Sequence, residues 1–361
     1  MKIIFYGPIG GKKGKIIGGG ESGNRKTIKL LNKLGFSVEV IEKPYPIGVP
    51  IIRAFYYPIQ LFVAYIKVLF KLYISKNTSL HLSGFYLHLI YVEWLLIRTA
   101  RIIGRSSVYE LRAGGAIEGY HSRSFIYRYF FKQTLLNASS VICQGEEYVP
   151  FIYSITGKKA HYYPNYITED LLIPNPYLNS RNSNRIELLY FGRIAPSKNI
   201  EFILDICSFL PKDKFFLEII GGGTPEYLAS INSLIELKDI QGSITITPPL
   251  KSEELFNRIR HKHFFIFPSK EKREGHSNAL TEAMSQGVVP LVSNMGFNAS
   301  VVKQPNLVVP DFEASQYASK ILSIWENHEW KHYSNNCHKV VNDFFTESTA
   351  QLTLAKAHSG Y

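Results

Sequence analysis

The chain has 361 residues, a length that favours two domains if a domain takes roughly 150 residues. It carries 41 Lys and Arg against 29 Asp and Glu, and its formal net charge is +12. The cysteines, Cys143, Cys207 and Cys337, form no CxxC pair, which argues against a disulfide framework and a zinc site. The N-terminal apolar run is short and broken by Gly, Pro and Lys, so we expect a strand and a loop rather than a signal peptide, and a cytoplasmic protein.

Positive charge is concentrated in the first half of the chain. Residues 1–170 hold 22 Lys and Arg and 10 Asp and Glu, whereas residues 171–361 hold 19 of each. Such asymmetry indicates an anionic partner, with nucleic acid and a phospholipid surface as the usual candidates. The sequence contains no basic run interleaved with stacking aromatics and no recognisable nucleic-acid module. We therefore expect no nucleic acid and an anionic membrane surface.

The first half alternates strand-like runs with helical segments. The runs are "KIIFYG" (2–7), "SVEVIE" (37–42), "SSVYEL" (106–111) and "SSVICQ" (139–144). Between the second and third runs, residues 51–103 are unusually apolar and aromatic, but no stretch reaches the roughly 18–20 clean apolar residues of a spanning helix. A helix over 53–73 would align Arg53, Gln60, Lys67 and Lys71 in a narrow polar stripe. Two interpretations stay open: a core helix with one wet edge, or an interfacial helix on an anionic membrane.

The second half shows the same alternation more clearly. Its runs are "IELLYFG" (186–192), "FFLEIIG" (215–221), "SITITP" (243–248), "HFFIFP" (263–268) and "VVPLVS" (288–293). The spacing predicts a parallel, doubly wound sheet. A Pro-, Asn- and Ser-rich linker over 167–185 separates the halves, so we expect an α/β chain with domains at 1–170 and 171–342. Ligands of such sheets bind beyond the carboxyl ends of strands, which favours a site in a cleft between the two domains.

The segment "EKREGHSNALTEAMSQGVVPLVSN" (271–294) carries the most specific chemistry. It is predicted to form a loop after a strand, a helix capped by Ser277 or Asn278, and a stop at Gly287. The N–H groups at the helix start suit a phosphate, and they belong to His276, Ser277, Asn278, Ala279 and Leu280. Glu282 would reach a neighbouring hydroxyl, and Glu274 would face the opposite end of the same ligand. Two carboxylates flanking a phosphate cradle indicate a sugar–diphosphate–ribose compound.

This segment is similar to the Glu-x7-Glu region of retaining glycosyltransferases with the GT-B fold, a large family (glycosyltransferase family 4-like) that uses nucleotide sugars, often in bacterial polysaccharide assembly. "YFGRIAPSKNIEFIL" (190–204) resembles the family's Gly-Arg-x4-Lys element. "LEIIGGGTPEYL" (217–228), which contains Gly222, resembles the Gly-rich turn that follows. The resemblance covers about 185–295 convincingly and is weaker in the first half.

The resemblance implies roles for individual residues. Arg193 and Lys198 would neutralise the donor diphosphate and stabilise it as the leaving group. Glu282 would bind ribose hydroxyls, and Glu274 would contact the transferred sugar or stabilise charge at its anomeric carbon. Each of these charges has a simpler interpretation as a solvated loop residue, and Glu271 lies close enough to confuse the assignment.

In the first half, "IIGGGESGNRKTIKLL" (16–31) fits a glycine loop between the first strand and a helix. In the family context Gly19, Gly20 and Glu21 would line the cleft, although a flexible surface turn would have the same composition. Many relatives carry a His after the central strand, where this chain has "ELRAGG". Two interpretations stay open: Arg112 replaces that His, or His121 supplies it from the following segment.

The sequence shows neither a His-x3-His pattern nor a paired Asp constellation, so we expect no cofactor and metal-independent activity, with Arg193 and Lys198 in place of a divalent cation. The implied function is transfer of a sugar from a nucleotide diphosphate sugar, with retention, to a saccharide linked to undecaprenyl diphosphate. The enzyme would be peripheral on the inner face of the cytoplasmic membrane and serve O-antigen or capsule synthesis. Residues 343–361 would cross back to the first domain.

Two alternatives remain. One is a related enzyme, such as a nucleotide-sugar epimerase or a glycogen-type phosphorylase or synthase, against which the aromatic and basic segment counts. The other is a non-catalytic, membrane-docked subunit that binds nucleotide sugar or serves as a scaffold. The presence of Glu274, Arg193, Lys198 and Glu282 together favours the enzyme.

Overall fold

The computed structural model describes residues 1–10, 19–46, 50–84, 87–112, 114–181 and 184–359. Residues 16–18 of the predicted glycine loop and the side chain of Arg53 lie outside the described part. The chain forms two compact units. Unit 1 consists of Met1–Pro164 and Ser348–Tyr361, and unit 2 consists of Asn165–Glu347.

Unit 1 is built on a six-stranded parallel sheet with the order β2-β1-β3-β4-β5-β6. Several of its strands, such as β1 and β5, carry apolar and largely buried side chains, as expected for a sheet covered on both faces. Its elements are β1 (Lys2–Gly7), α1 (Gly19–Lys33), β2 (Ser37–Glu42), α2 (Pro50–Ile74), β3 (Thr78–Gly84), α3 (Ile90–Ile102), β4 (Ser107–Leu111), α4 (Ala116–His121), α5 (Phe125–Asn137), β5 (Ser140–Cys143), α6 (Tyr148–Thr156) and β6 (His161–Tyr162).

Unit 2 repeats the plan with a parallel sheet of order β12-β11-β10-β7-β8-β9. Its elements are β7 (Ile186–Phe191), α7 (Ile200–Ser208), β8 (Phe215–Ile220), α8 (Pro225–Leu237), β9 (Ile244–Thr247), α9 (Ser252–Ile259), β10 (Phe264–Phe267), α10 (Asn278–Ser285), β11 (Val289–Ser293), α11 (Asn298–Val302), β12 (Val308–Val309), α12 (Ala314–Glu326) and α13 (Trp330–Phe344). The last helix, α14 (Glu347–Ser359), carries the chain to unit 1.

The central strand β3 is not among the strand-like runs predicted from the sequence, and its residues fall in the apolar and aromatic segment 51–103. All seven residues of "TSLHLSG" are buried, including Thr78, Ser79, His81 and Ser83. Polar residues normally indicate an exposed segment, but Ser83 donates to the side-chain oxygen of Asn24 at 2.9 Å and His81 bonds Glu110 at 3.0 Å. Internal hydrogen bonds therefore satisfy His81 and Ser83 in the middle of the sheet, whereas the buried hydroxyls of Thr78 and Ser79 have no hydrogen-bond partner among the described residues.

A pair of buried histidines fixes α14 to unit 1. The Nε2 atom of His358 lies 3.0 Å from Nδ1 of His81, and the two rings stack with centroids 5.2 Å apart. The other ring nitrogen of His81 bonds the buried carboxylate of Glu110. Since an ionised carboxylate only accepts hydrogen bonds, Nε2 of His81 is the donor in that contact. Burial, assisted by His81, lowers the pKa of His358 to about 3, so this imidazole is neutral at pH 7.

Helix α2 lies on the outside of unit 1. Its buried stripe, Ala64, Val68 and Leu72, repeats every four residues, while Phe55 and Tyr73 are 75% and 76% exposed. The interpretation of this segment as a core helix with one wet edge is therefore wrong. Among the described residues, Ala54–Ile74 is the one helical segment with the length and apolarity of a membrane-crossing helix, and only 17% of its most apolar window is buried.

The histidine pair should make stability depend on pH. In the unfolded chain His358 titrates near its ordinary value of 6.5, so between pH 6.5 and about 3 unfolding takes up a proton and acid destabilises the fold. We expect His358→Gln, which keeps a polar atom near the position of Nε2, to unfold more easily at pH 7 but to lose less stability on acidification. The measurement is urea unfolding between pH 7 and 5, where the difference in slope should approach about 1.4 kcal/mol per pH unit. Equal slopes would contradict the assignment.

Candidate active site

The loops that follow β7 and β10 meet at the carboxyl edge of the unit 2 sheet. These strands are neighbours and run parallel, so their carboxyl ends lie side by side. The backbone N–H of Lys270 donates to the carbonyl of Ser197 at 3.0 Å and joins the two loops. The edge of a doubly wound sheet where adjacent loops converge is the usual position of a ligand site.

Lys198 and Glu274 form an ion pair across these two loops. The Nζ atom of Lys198 lies 2.7 Å from Oε1 and 2.5 Å from Oε2 of Glu274. Only 13% of the Lys198 side chain and 11% of the Glu274 side chain are exposed. The Lys198 ammonium also lies 5.2 Å from the ring centroid of Phe267, the last residue of β10. Two residues that are 76 positions apart are thus held together in a largely water-excluded place.

Ser269 supplies a second hydrogen bond to the same carboxylate. Its hydroxyl donates to Oε2 of Glu274 at 2.6 Å, and the residue is fully buried. Its carbonyl accepts a hydrogen bond from the Ser293 hydroxyl at the end of β11, at 2.7 Å. Glu274 is therefore fixed from three directions, by Lys198, by Ser269 and by the turn in which its N–H donates to Glu271.

The loop of Glu274 also depends on close backbone packing. Phe297 donates its N–H to the Glu274 carbonyl at 3.2 Å, and Gly296 adopts a φ of +55° beside it. A Cβ atom at position 296 would lie 2.0 Å from the Glu274 carbonyl oxygen. Only glycine tolerates both this backbone conformation and this approach.

Arg193 lies on the loop after β7 with an exposed side chain. The hydroxyl of Tyr190 donates to the Arg193 carbonyl at 2.7 Å. Burial raises the pKa of the Tyr190 phenol, Glu274 raises it further and Arg193 opposes this, so both charges lie within electrostatic range of one hydroxyl. The three residues assigned to catalysis from the sequence are thus brought to one region of unit 2.

The Gly-rich turn after β8 packs directly against the loop that carries Arg193. The N–H of Ile194 donates to the Gly222 carbonyl at 2.8 Å. A Cβ at Gly221 would lie 1.8 Å from the carbonyl oxygen of Gly192, whereas a Cβ at Gly222 would meet only the ring of Pro249, at 3.3 Å. The fit of the two loops therefore depends on Gly221 and on Gly223, whose Cβ would lie 2.5 Å from the Ile194 carbonyl oxygen. Substrate binding by Gly222 stays a prediction.

Helix α10 begins where the sequence predicted a capped start. The hydroxyl of Ser277 accepts a hydrogen bond from the N–H of Leu280 at 3.4 Å, which makes Ser277 the cap. Leu280 is buried and its N–H belongs to the cap, so the expectation of an unpaired N–H there is wrong. Ser277, Asn278 and Ala279 are half-buried, and they occupy the first turn, where N–H groups have no intrahelical acceptor.

The side chain of His276 packs into unit 2. It is only 4% exposed, its Nε2 lies 2.5 Å from the hydroxyl of Thr281, and its ring meets Phe345 edge-on at 4.8 Å. Its carbonyl accepts a hydrogen bond from the Asn165 amide at 2.6 Å. These contacts bury His276 inside unit 2, where it holds the loop before α10 in position.

The two nearby carboxylates differ in surroundings from Glu274. Glu282 is half-buried on α10. Glu271 is exposed, and its carboxylate accepts from the N–H of Arg273 at 3.3 Å. Although Glu271 is close to Glu274 in the sequence, it takes no part in the Lys198–Glu274 ion pair.

In unit 1, Gly19, Gly20 and Glu21 form the first turn of α1. Gly19 is exposed, and Gly20 and Glu21 are half-buried. The Glu21 carboxylate accepts from the Tyr45 hydroxyl at 3.3 Å, and Tyr45 in turn accepts from the N–H of Gly10 at 3.1 Å. Burial, followed by the charge of Glu21, raises the pKa of Tyr45. Glu21 thus ties the start of α1 to the segment that follows β2.

Arg112 and His121 have different environments. Arg112 is 5% exposed, forms an ion pair with Glu110 and donates to the hydroxyl of Thr27 at 2.9 Å. Burial alone would raise the pKa of Glu110, but Arg112 and His81 lower it below its ordinary value. His121 is exposed at the end of α4, beside Tyr120. The guanidinium of Arg112 is committed to the interior, whereas the imidazole of His121 faces solvent.

The site contains residues that sequence reasoning missed: Ser269, Ser293, Gly296, Tyr190 and Gly221. Ser269 follows Pro268 at the end of a predicted strand, and this position could have identified it from the sequence as a candidate site residue. The contributions of Ser293 and Gly296 come through contacts with other loops, which no local pattern reveals.

Chemically, the unit 2 site combines a fixed carboxylate, a lysine and an arginine at a strand edge. Such groups suit stabilisation of a diphosphate and of positive charge on a sugar. Within the part of the chain that the structure describes, no group of three or more His, Cys, Asp or Glu side chains is placed to hold a metal ion. Metal independence stays a prediction.

The chain resembles solved structures over its whole length. Anabaena Alr3699/HepE in complex with UDP superposes with a TM-score of 0.74 at 15% identity, covering 100% of both chains. The chain has the GT-B fold. Sucrose-phosphate synthase from Thermosynechococcus elongatus gives 0.71 at 18% identity over 99% of this chain and 98% of its own. The lipopolysaccharide outer core galactosyltransferase WaaB gives 0.69 at 12% identity over 100% and 99%.

The family model described as "Glycosyl transferases group 1" matches residues 178–339, which is less than half of the chain. This range contains Arg193, Lys198, Glu274 and Glu282. No curated protein sequence matches significantly. The family model and the GT-B neighbours together support a glycosyltransferase.

The Lys198–Glu274 pair should show strong energetic coupling. Because both side chains are largely buried, removing one partner leaves the other charge without compensation. In a double-mutant cycle with Lys198→Met and Glu274→Gln, measured by urea unfolding, we expect a coupling energy of about 1–3 kcal/mol. The exposed pair Lys212–Asp239, with the same separation of 2.7 Å, is the matched control and should show no measurable coupling. Similar coupling in both pairs would contradict the buried geometry.

Gly296→Ala should displace the loop of Glu274. The strained φ and the contact with the Glu274 carbonyl predict a loss of roughly 1–3 kcal/mol in unfolding free energy. Unfolding can be followed by tryptophan fluorescence, because Trp325 and Trp330 lie in unit 2. Gly242→Ala is the control, since a Cβ there meets nothing within 4 Å. A Gly296→Ala protein as stable as the control would exclude this packing.

Proposed function

We propose that the protein is a retaining glycosyltransferase of the hexosyltransferase type that takes its donor as a nucleotide diphosphate sugar. The observation that carries the proposal is the fixed Glu274 carboxylate, paired at the edge of the unit 2 sheet with Lys198, whose loop also carries Arg193. The donor is supported by the Anabaena neighbour, which has been solved with UDP and with UDP-glucose.

In the proposed mechanism, the two cations and the carboxylate act on different parts of the donor. Arg193, whose side chain is exposed, and Lys198 stabilise the diphosphate as the bond to the sugar breaks. Glu274 stabilises the positive charge that develops at the anomeric carbon, and Ser269 keeps its carboxylate in one orientation. The acceptor hydroxyl then attacks from the face that the diphosphate leaves, which retains the anomeric configuration. The leaving diphosphate takes the electron pair of the broken bond, and the proton of the acceptor hydroxyl passes to it.

Glu282 and the start of α10 complete the proposed donor site. The first-turn N–H groups of Asn278 and Ala279 face the direction from which an anion approaches a helix. Glu282 binds the ribose hydroxyls from the same helix. This arrangement places no requirement on a divalent cation.

The proposed acceptor is a saccharide carried on undecaprenyl diphosphate, used in surface polysaccharide assembly such as O-antigen or capsule. The excess of positive charge in residues 1–170 suits a diphosphate acceptor. The similarity to the outer core galactosyltransferase WaaB is consistent with a role in cell-surface glycans. Unit 1 would then bind the acceptor and unit 2 the donor.

A thermal-shift screen of the full chain against nucleotide diphosphate sugars, with chelator throughout, tests donor binding. One donor should raise the melting temperature, because a ligand that binds only the folded state stabilises it. Plain nucleotides are the controls. If no donor shifts melting, a non-catalytic scaffold replaces the proposed enzyme; a shift only when metal is added would overturn metal independence.

Substitutions at the site distinguish donor binding from sugar transfer. Glu274→Ala should lower transfer by at least about 100-fold with donor binding largely kept, since its carboxylate acts on the transition state. Arg193→Ala and Lys198→Ala should weaken both donor binding and sugar transfer. Glu271→Ala is the matched control, because that carboxylate is exposed, and it should behave as wild type. Wild-type transfer by Glu274→Ala would exclude the assigned role.

A further inference from the structure

Three helices of unit 1 form one layer on the same face of the sheet. The connections through α2, α3 and α5 all step across the sheet in one direction, from β2 towards β5. Parallel strands joined by right-handed crossovers place such helices on one face. In agreement with this, α2 packs against α3 and α3 packs against α5. We call this layer the α2–α3–α5 face.

This face exposes an unusual amount of apolar surface. Of the 23 large hydrophobic side chains that are exposed among the described residues, nine lie on α2, three on α3 and three on α5. The most exposed include Phe62 on α2 at 62%, and Phe125 and Ile126 on α5 at 74% and 60%. Apolar patches of this extent on a folded unit mark an interaction surface.

The exposed charges that the three helices themselves carry have one sign, and one of these cations, Lys71, pairs with Glu39 of the edge strand β2. The sequences of α2 and α5 contain no Asp or Glu, and the acidic residue of α3, Glu93, is 3% exposed. The same three helices carry these basic residues: Lys67, Lys71, Arg98, Arg101, Arg128 and Lys132. Aromatic side chains mixed with Lys and Arg are typical of surfaces that lie in the headgroup region of a bilayer.

We infer that the α2–α3–α5 face docks unit 1 flat on a bilayer that contains anionic phospholipid. A second copy of the chain is disfavoured as the partner, because a self-contact would bring these cations against one another. Docking in the plane follows from α2 itself. Ala64, Val68 and Leu72 are buried in unit 1, so the helix remains part of the folded layer although its length would allow it to cross a membrane.

The inference extends the lipid-contacting surface from α2 to α5. Phe125, Ile126 and Tyr129 are exposed on its first turns, next to Lys132. If α2 alone contacted lipid, these residues would be irrelevant to binding; if the whole face docks, they contribute as much as α2. The inference goes beyond the proposed sugar transfer, since none of these side chains belongs to the donor site.

Flotation of the full-length protein with lipid vesicles tests the inference. Vesicles of equal parts phosphatidylglycerol and phosphatidylcholine should bind the protein, with weaker binding at high salt, and pure phosphatidylcholine should bind it poorly. The α5 variant Phe125→Ser with Ile126→Ser should lower the bound fraction by at least about tenfold. The α2 variant Phe62→Ser with Ile66→Ser should have a similar effect.

The control is Phe209→Ser with Leu237→Ser, two unit 2 residues that are 59% and 81% exposed, and it should bind as wild type. Binding by the α5 variant equal to wild type would overturn the three-helix face. A dimer in solution that the same substitutions dissociate would assign the face to a second copy instead. The donor thermal shift, measured on the same variants, should not change, so failure of docking is distinguishable from failure of the proposed transfer.

Discussion

The ion pair between Lys198 and Glu274 connects the fold of unit 2 to its chemistry. It joins two loops whose only relation in the sequence is that each follows a parallel strand, and it places a carboxylate and an ammonium where little water reaches. Burial makes the pair sensitive to geometry, because an uncompensated charge in this place is costly. Ser269, Ser293 and Gly296 can be understood as the residues that keep the geometry fixed.

Unit 1 also buries charged side chains, and it stabilises them with a different set of groups. A buried chain of contacts runs from His358 through His81 and Glu110 to Arg112 and Thr27, and links α14, two central strands and α1. Each member satisfies the next, which is how a sheet can carry charged residues in its interior.

Much of the architecture followed from the sequence, because parallel strands buried on both faces give short apolar runs at regular spacing, and the predicted fold class was confirmed. The central strand β3 was missed because it is rich in polar residues, two of which, Ser83 and His81, are satisfied by Asn24 and Glu110 far along the chain. At the site, Glu274 and Lys198 were singled out by the resemblance of their segments to the family's Glu-x7-Glu and Gly-Arg-x4-Lys elements. Ser269 and Gly296 were not, because their function lies in tertiary contacts. The sequence left open whether Arg112 or His121 replaces the family's His; the ion pair with Glu110 holds Arg112 inside, and His121 is exposed.

The most direct test of the account is the structure of the full chain with a bound nucleotide diphosphate sugar. We expect the diphosphate within hydrogen-bond distance of Lys198 and Arg193, the ribose near Glu282, and the sugar against Glu274. A donor bound away from the loops that follow β7 and β10 would contradict the central claim, whatever activity the protein shows.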